Sequence, residues 1–204
     1  MTVTWPLKAN AALLLQPDID TDLIMPKQYL KGIDRSGLSD GLFRPLRFLA
    51  DGTPDPSFPL NHSPGNEAQI LVTGPNFGCG SSREHAVWGL QQRGIRAIVG
   101  SSFAGIFCDN ALNNGLLIVE LAPSEVSEIA AAISAMPSIQ ITIDLARQRI
   151  EFGKDSLDFA IKPERRNQML KGEDRIAGSL ALARQMAEFE LAYSIRYPWL
   201  LAKP

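Results

Sequence analysis

Cysteine is scarce in this chain of 204 residues: Cys79 and Cys108 are the only two, and no C-x-x-C pair is present. Two thiols exclude a disulfide framework and cannot supply the four ligands of a zinc ribbon or an iron–sulfur cluster. An excess of charge is lacking as well. Twenty Lys and Arg stand against 22 Asp and Glu, a formal charge of -2. No broad basic field is therefore available to hold nucleic acid or an anionic membrane surface. No apolar run approaches the roughly 20 residues of a bilayer span; the longest near the start is "AALLL". The opening "MTVTWPLKAN" has neither a basic n-region nor an apolar h-region, so no secretory leader is expected and the chain reads as cytoplasmic and metal-poor. Internal repeats and low-complexity segments are missing too. With 45% hydrophobic and 21% charged residues, the composition is that of a globular chain long enough for one core and short for two. A single domain over residues 1–204 is expected.

The first third is rich in turn formers: "PDIDTDLIMP", "KGIDRSGLSDG" and "LADGTPDPSFPLNHSPGN" read as turns and long loops. Regular periodicity begins at Gln69. "QILVTG" reads as a buried strand, Ser81–Arg93 as a helix stopped by Gly94, and "IRAIVG" as a second strand. "FAGIFCDNAL" reads as a helix closed by "NNG", and "LLIVEL" as a third strand. This β-α-β-α-β run predicts an α/β fold with a partly parallel sheet and flanking helices. Beyond it, the pattern predicts a helix at Pro123–Ala135, two strands within "IQITIDLARQRIEF" and a short one at "SLDFAI". Pro163 suits a helix start, Gly172 its stop, and Ile176–Tyr193 is amphipathic. The tail "YPWLLAKP" carries a Trp and apolar neighbours of the kind that dock on something.

Chemistry concentrates in "NFGCGSSREHA", residues 76–86. Ser81 and Glu84 have the spacing of a capping box, with Gly78 and Gly80 permitting a tight entry turn. The same geometry also makes an anion site. A strand feeding a helix through a Gly-rich turn leaves amide N–H groups at the helix entry, and Arg83 adds a planar fork shaped for a carboxylate or phosphate. Neither the P-loop pattern nor G-x-G-x-x-G is satisfied, because there is no Lys in "GCGSSR" and Arg83 stands where a third Gly belongs. Cys79 admits two readings, a thiolate activated near a helix start or a small apolar side chain under the turn. His85 reads as a structural hydrogen-bonding residue.

Together with "DIDTDLIMPKQYLK" upstream and "SFAGIFCDNALNNGLL" downstream, this stretch resembles the small-subunit family of 3-isopropylmalate dehydratases, in the aconitase superfamily. The similarity runs through nearly the whole chain, including "LF-x-x-x-RFL" at Leu42–Leu49. The resemblance implies a swivelling β/β/α domain like the C-terminal domain of aconitase. It implies a hydro-lyase of leucine biosynthesis that isomerises 2- and 3-isopropylmalate by dehydration and rehydration. The partner would be a large subunit carrying a [4Fe–4S] cluster, with no metal on this chain and no activity without the partner. By the same match Ser81 is the catalytic base, Ser82 and Arg83 hold the substrate carboxylate, and Asp22 is an active-site aspartate.

The family's substrate loop maps onto Tyr29, Leu30, Lys31 and Ile33. Aconitase has "WLKFR" there, whose Arg binds an extra carboxylate; here the string is "YLKGI". Ile33 stands near the place of that Arg, one residue closer to Asp22, with Arg35 close by. An apolar side chain suits an isopropyl group, since an unpaired buried carboxylate would be disfavoured. An ordinary loop anchor is the other reading of this segment. Subunits of dehydratases acting on methylmalate (citraconate), homoaconitate or dimethylmalate share the serine motif and remain alternatives, as does a non-catalytic anion-binding module.

Overall fold

An eight-residue strand, β1 (Leu7–Leu14), runs through the middle of the sheet, although the periodicity of the sequence suggests no strand before Gln69. The chain is seen in a computed structural model that describes residues 3–30, 37–172 and 182–200. The segment "LKANAALL" carries three alanines, a Lys and an Asn, residues that seldom mark a strand. Its place is set by neighbours far away in sequence. β2 (Ile70–Thr73) pairs with it in parallel along one edge, and β5 (Gln140–Asp144) antiparallel along the other.

Seven strands form one sheet in the order β4-β3-β2-β1-β5-β6-β7. β1 to β3 (Ala97–Gly100) and β4 (Leu117–Glu120) are mutually parallel; β6 (Arg149–Phe152) and β7 (Asp155–Asp158) continue from β5 as an antiparallel meander. Parallel neighbours need crossovers. Two are helical, α4 (Glu84–Gln92) between β2 and β3, and α5 (Gly105–Asn113) between β3 and β4. The third, from β1 to β2, is the turn-rich first third of the chain, whose described residues carry short helices, among them α1 (Thr21–Ile24), α2 (Leu38–Gly41) and α3 (Arg44–Arg47).

Both faces of the parallel half are covered, which is why β2 and β3 are buried at every residue. On one face Leu71 and Ile98 join Phe43, Phe77, Leu90 and Phe107. On the other, Ile70, Val72 and Val99 meet α6 (Pro123–Ala135) through Val126, Ile129 and Ile133. Side-chain ties hold the loop-rich crossover in place. Arg47 Nε donates to Asn61 Oδ1 at 3.1 Å, and Asn61 Nδ2 returns to the carbonyls of Arg47 and Asp55. The Gln92 side chain, from the end of α4, accepts from the Leu38 amide at the start of α2.

α7 (Pro163–Lys171) opens on Pro163 and ends on Gly172 in a left-handed conformation, φ +65. Residues 1–172 form one compact unit and residues 173–204 a second. In the second, α8 (Ala183–Arg196) continues past Tyr193 to Arg196. The expected amphipathic helix begins at Ile176, and residues 176–181 lie outside the described residues. Phe189, Tyr193, Tyr197 and Trp199 make ring contacts in succession, stacked, tilted and then edge-on, and Trp199 is exposed. Among the described residues no helix is long and apolar enough to cross a membrane.

Candidate active site

The candidate residues gather where the loops leave the C-terminal ends of β1 and β2, the end at which parallel sheets bind ligands. Backbone pairing carries on past the strands and joins these loops. The Asp18 amide donates to the Pro75 carbonyl at 3.0 Å, Gly78 to Ile19 at 2.8 Å, and Thr21 to Cys79 at 2.8 Å. A third loop, after β3, is attached by Phe77 to Ser102 and by Ala104 to Phe77. Gly78 has φ +77, and a Cβ there would run into the Phe107 ring; Gly80 has φ +95 and would press a Cβ on Thr21 Oγ1. The two glycines are thus demanded both by conformation and by close approach.

Ser81 and Ser82 are exposed at the crest of this turn. The Ser81 carbonyl is held from across the site, where Thr21 Oγ1 donates to it at 3.0 Å. Two residues on, Arg83 reaches over to α1. Its two Nη atoms donate to the two oxygens of Asp22, Nη2 to Oδ2 at 2.9 Å. The Arg83 side chain is 9% exposed and that of Asp22 51%. This pairing, first through the hydrogen bond and then through charge, holds the Asp22 carboxyl below the usual carboxylate range.

The capping box read from Ser81 and Glu84 does not form. α4 starts at Glu84, with Arg83 as its N-cap in an extended conformation and without a side-chain cap. The residues at this helix start have non-local partners instead. Arg83 is drawn to Asp22, and Glu84 Oε1 accepts from Asn114 Nδ2 at 2.7 Å. Asn114 Oδ1 accepts in turn from Trp88 Nε1, fixing the first turns of α4 to the end of α5. His85 lies against the Trp88 ring, with centroids 4.7 Å apart.

Cys79 is partly exposed, and its thiol is pushed up by burial and then by the charges of Asp20 and Asp18. It does not have the environment of an activated thiolate. Tyr29 and Leu30 pack against the core beneath the site, and the Tyr29 ring lies over Gly41. Lys31 and Ile33 lie outside the described residues. Sequence reasoning missed Thr21 and Asn114. Thr21 sits inside a string read as turns and singled out for Asp22, and Asn114 inside an "NNG" read as a helix stop. Their partners stand 60 and 30 positions away, beyond any local pattern.

Residues 8–124 match the aconitase C-terminal domain family. Over 194 residues the chain is 46% identical to the 3-isopropylmalate dehydratase small subunit 1 of Mannheimia succiniciproducens, covering 95% of this chain and 96% of that one. It is also 46% identical to the small subunit 2 of Salmonella typhimurium, over 95% and 93% of the two chains. The crystal structure of a 3-isopropylmalate dehydratase from Methanocaldococcus jannaschii matches with a TM-score of 0.62 at 27% identity, covering 90% of this chain and 97% of that one. Near-full-length identity of this order, on an α/β domain whose loops gather as described, places the chain in the family of 3-isopropylmalate dehydratase small subunits, built on the aconitase C-terminal domain.

Proposed function

We propose that this chain is the small subunit of a two-subunit hydro-lyase that interconverts 2-isopropylmalate and 3-isopropylmalate, with Ser81 as its base. The observation that carries the reading is an exposed Ser81–Ser82 pair beside an almost buried Arg83 on the turn between β2 and α4. A serine hydroxyl becomes a useful base only when its alkoxide is stabilised. The Arg83 charge, two residues on, offers that stabilisation. Ser81 takes the proton from the carbon alpha to a carboxylate. Negative charge then builds on that carboxylate, where Ser82 and Arg83 hold it. The hydroxyl leaves the neighbouring carbon as hydroxide, giving an unsaturated dicarboxylate, and adding proton and hydroxyl back to exchanged carbons gives the other isomer.

Such enzymes also use a [4Fe–4S] cluster, whose ligands are cysteine thiolates. Cys79 and Cys108 lie on different elements, burial pushes both thiols up, and among the described residues no three His, Cys, Asp or Glu side chains stand together to hold a metal. The residues present do not fit the cluster, which is assigned to a large subunit; this chain contributes the proton acceptor and the carboxylate grip. Purified alone and then mixed anaerobically with a cluster-bearing large subunit, the chain should support isomerisation only in the mixture. Turnover by the chain alone would sink the proposal.

A further inference from the structure

The Arg83 fork is already full. Both Nη atoms point at both oxygens of Asp22, the parallel two-bond arrangement that a substrate carboxylate would make with the same guanidinium. A third contact, from Nη1 to the Met25 carbonyl at 3.4 Å, sits at the limit of a hydrogen bond. With 9% of its side chain exposed, Arg83 has little other surface on which a second carboxylate could land. Asp22 is in the opposite position. Half of its side chain faces solvent, so rotation about its own bonds suffices to release the fork. The backbone beneath stays anchored by Thr21 to Cys79, Leu23 to the Asp20 side chain, and Phe43 to Ile24.

We infer that Asp22 is an internal stand-in for the substrate carboxylate, occupying the Arg83 fork until substrate displaces it. The inference rests on the assignment of Arg83 to the substrate. It gives Asp22 a defined task, which is to keep a nearly buried guanidinium paired and aligned in the empty site, at the expense of apparent affinity. A site whose competent form is populated to a fraction f binds 1/f more weakly than the open site. A pair that is closed about nine-tenths of the time withholds a factor of about ten.

The test uses the complex reconstituted with its large subunit and reads KM for 2-isopropylmalate. Asp22→Asn keeps the shape and removes the competing charge, so KM should fall about tenfold. Asp18→Asn is the charge control. Asp18 belongs to the same loop but bonds Asn76, not Arg83, and its backbone at φ +56 tolerates Asn. That variant should leave KM within twofold. Arg83→Lys should raise KM. An unchanged KM for Arg83→Lys would remove Arg83 from the substrate site altogether. If Arg83→Lys raises KM while Asp22→Asn leaves it unchanged or raises it, Asp22 only positions the arginine and the stand-in role is overturned. An equal fall with Asp18→Asn, or an assembled but inactive Asp22→Asn complex, overturns it as well. Should Asp22→Asn fail to assemble, Asp22→Ser is read by the same criteria.

Discussion

Replacing Ser81 by Ala separates catalysis from folding, because the structure assigns the Ser81 hydroxyl no part in the helix that follows. A serine acting as N-cap would cost about 1 kcal/mol on truncation. Here α4 starts three residues later with Arg83 as its cap, Ser81 is exposed, and among the described residues its long-range hydrogen bond is made through its carbonyl, which Ala retains. An exposed substitution of this kind shifts stability by no more than about 0.5 kcal/mol. Loss of a general base lowers kcat by at least ~10²-fold, equivalent to about 2.7 kcal/mol in the barrier. Urea unfolding of the full chain reads the first quantity. Steady-state turnover of the reconstituted complex reads the second, with KM close to parental because Arg83 is untouched. A complex that assembles and turns over within threefold of the parent would refute Ser81 as base. A stability loss above 1 kcal/mol would instead show that the hydroxyl serves the fold.

Gly78→Ala should be among the costliest small changes in the turn. It forces an L side chain to φ +77 and drives its Cβ into Phe107, for a combined loss of about 2–5 kcal/mol. Gly94→Ala, with φ +101 but open space around it, should lose only the conformational part, and equal urea midpoints for the two would contradict the packing argument. Asp22 should leave a trace in acid. Its carboxyl is held low by the Arg83 hydrogen bond, so its contribution is fully present above the unfolded value near ~3.9 and is lost as pH falls through the depressed folded value. Because half of the side chain is exposed, that contribution is below about 1 kcal/mol. Parent and Asp22→Asn should therefore differ slightly at pH 6 and converge by about pH 2. A gap that persists in acid would mean that the carboxylate charge is not its source.

What the sequence made legible was whatever lies within a few residues of its cause. β2 and β3 came from the runs "QILVTG" and "IRAIVG", which form strands buried at every residue, with Gly94 at φ +101 marking the end of α4 between them. α6 and the Pro163-to-Gly172 helix were readable for the same reason, a proline at one end or a glycine at the other. β1 escaped because a strand at the centre of a sheet needs no strong propensity of its own when both of its edges are paired. The helix start was misplaced by three residues for a related cause. A capping box is a local bargain between Ser81 and Glu84, and it lost to Thr21, which bonds the Ser81 carbonyl, and Asn114, which bonds Glu84, 60 and 30 positions from their partners.

The same contest accounts for the character of the site. A capped helix beginning at Ser81 would have tied its hydroxyl to a backbone amide, leaving it unable to meet a substrate. Starting the helix at Glu84 keeps both serines on an exposed turn while Thr21 fixes the Ser81 carbonyl from the neighbouring segment. Gly78 and Gly80, visible from the start as turn formers, therefore do more than bend the chain. They let the β2 loop lie against the β1 loop closely enough for Gly78 to bond Ile19 and Thr21 to bond Cys79, and that pairing brings Asp22 within reach of Arg83. The free serine hydroxyls and the occupied arginine fork are thus two consequences of one backbone arrangement. A substitution that loosens the loop pairing should disturb both together, whereas one at Asp22 should disturb the fork alone.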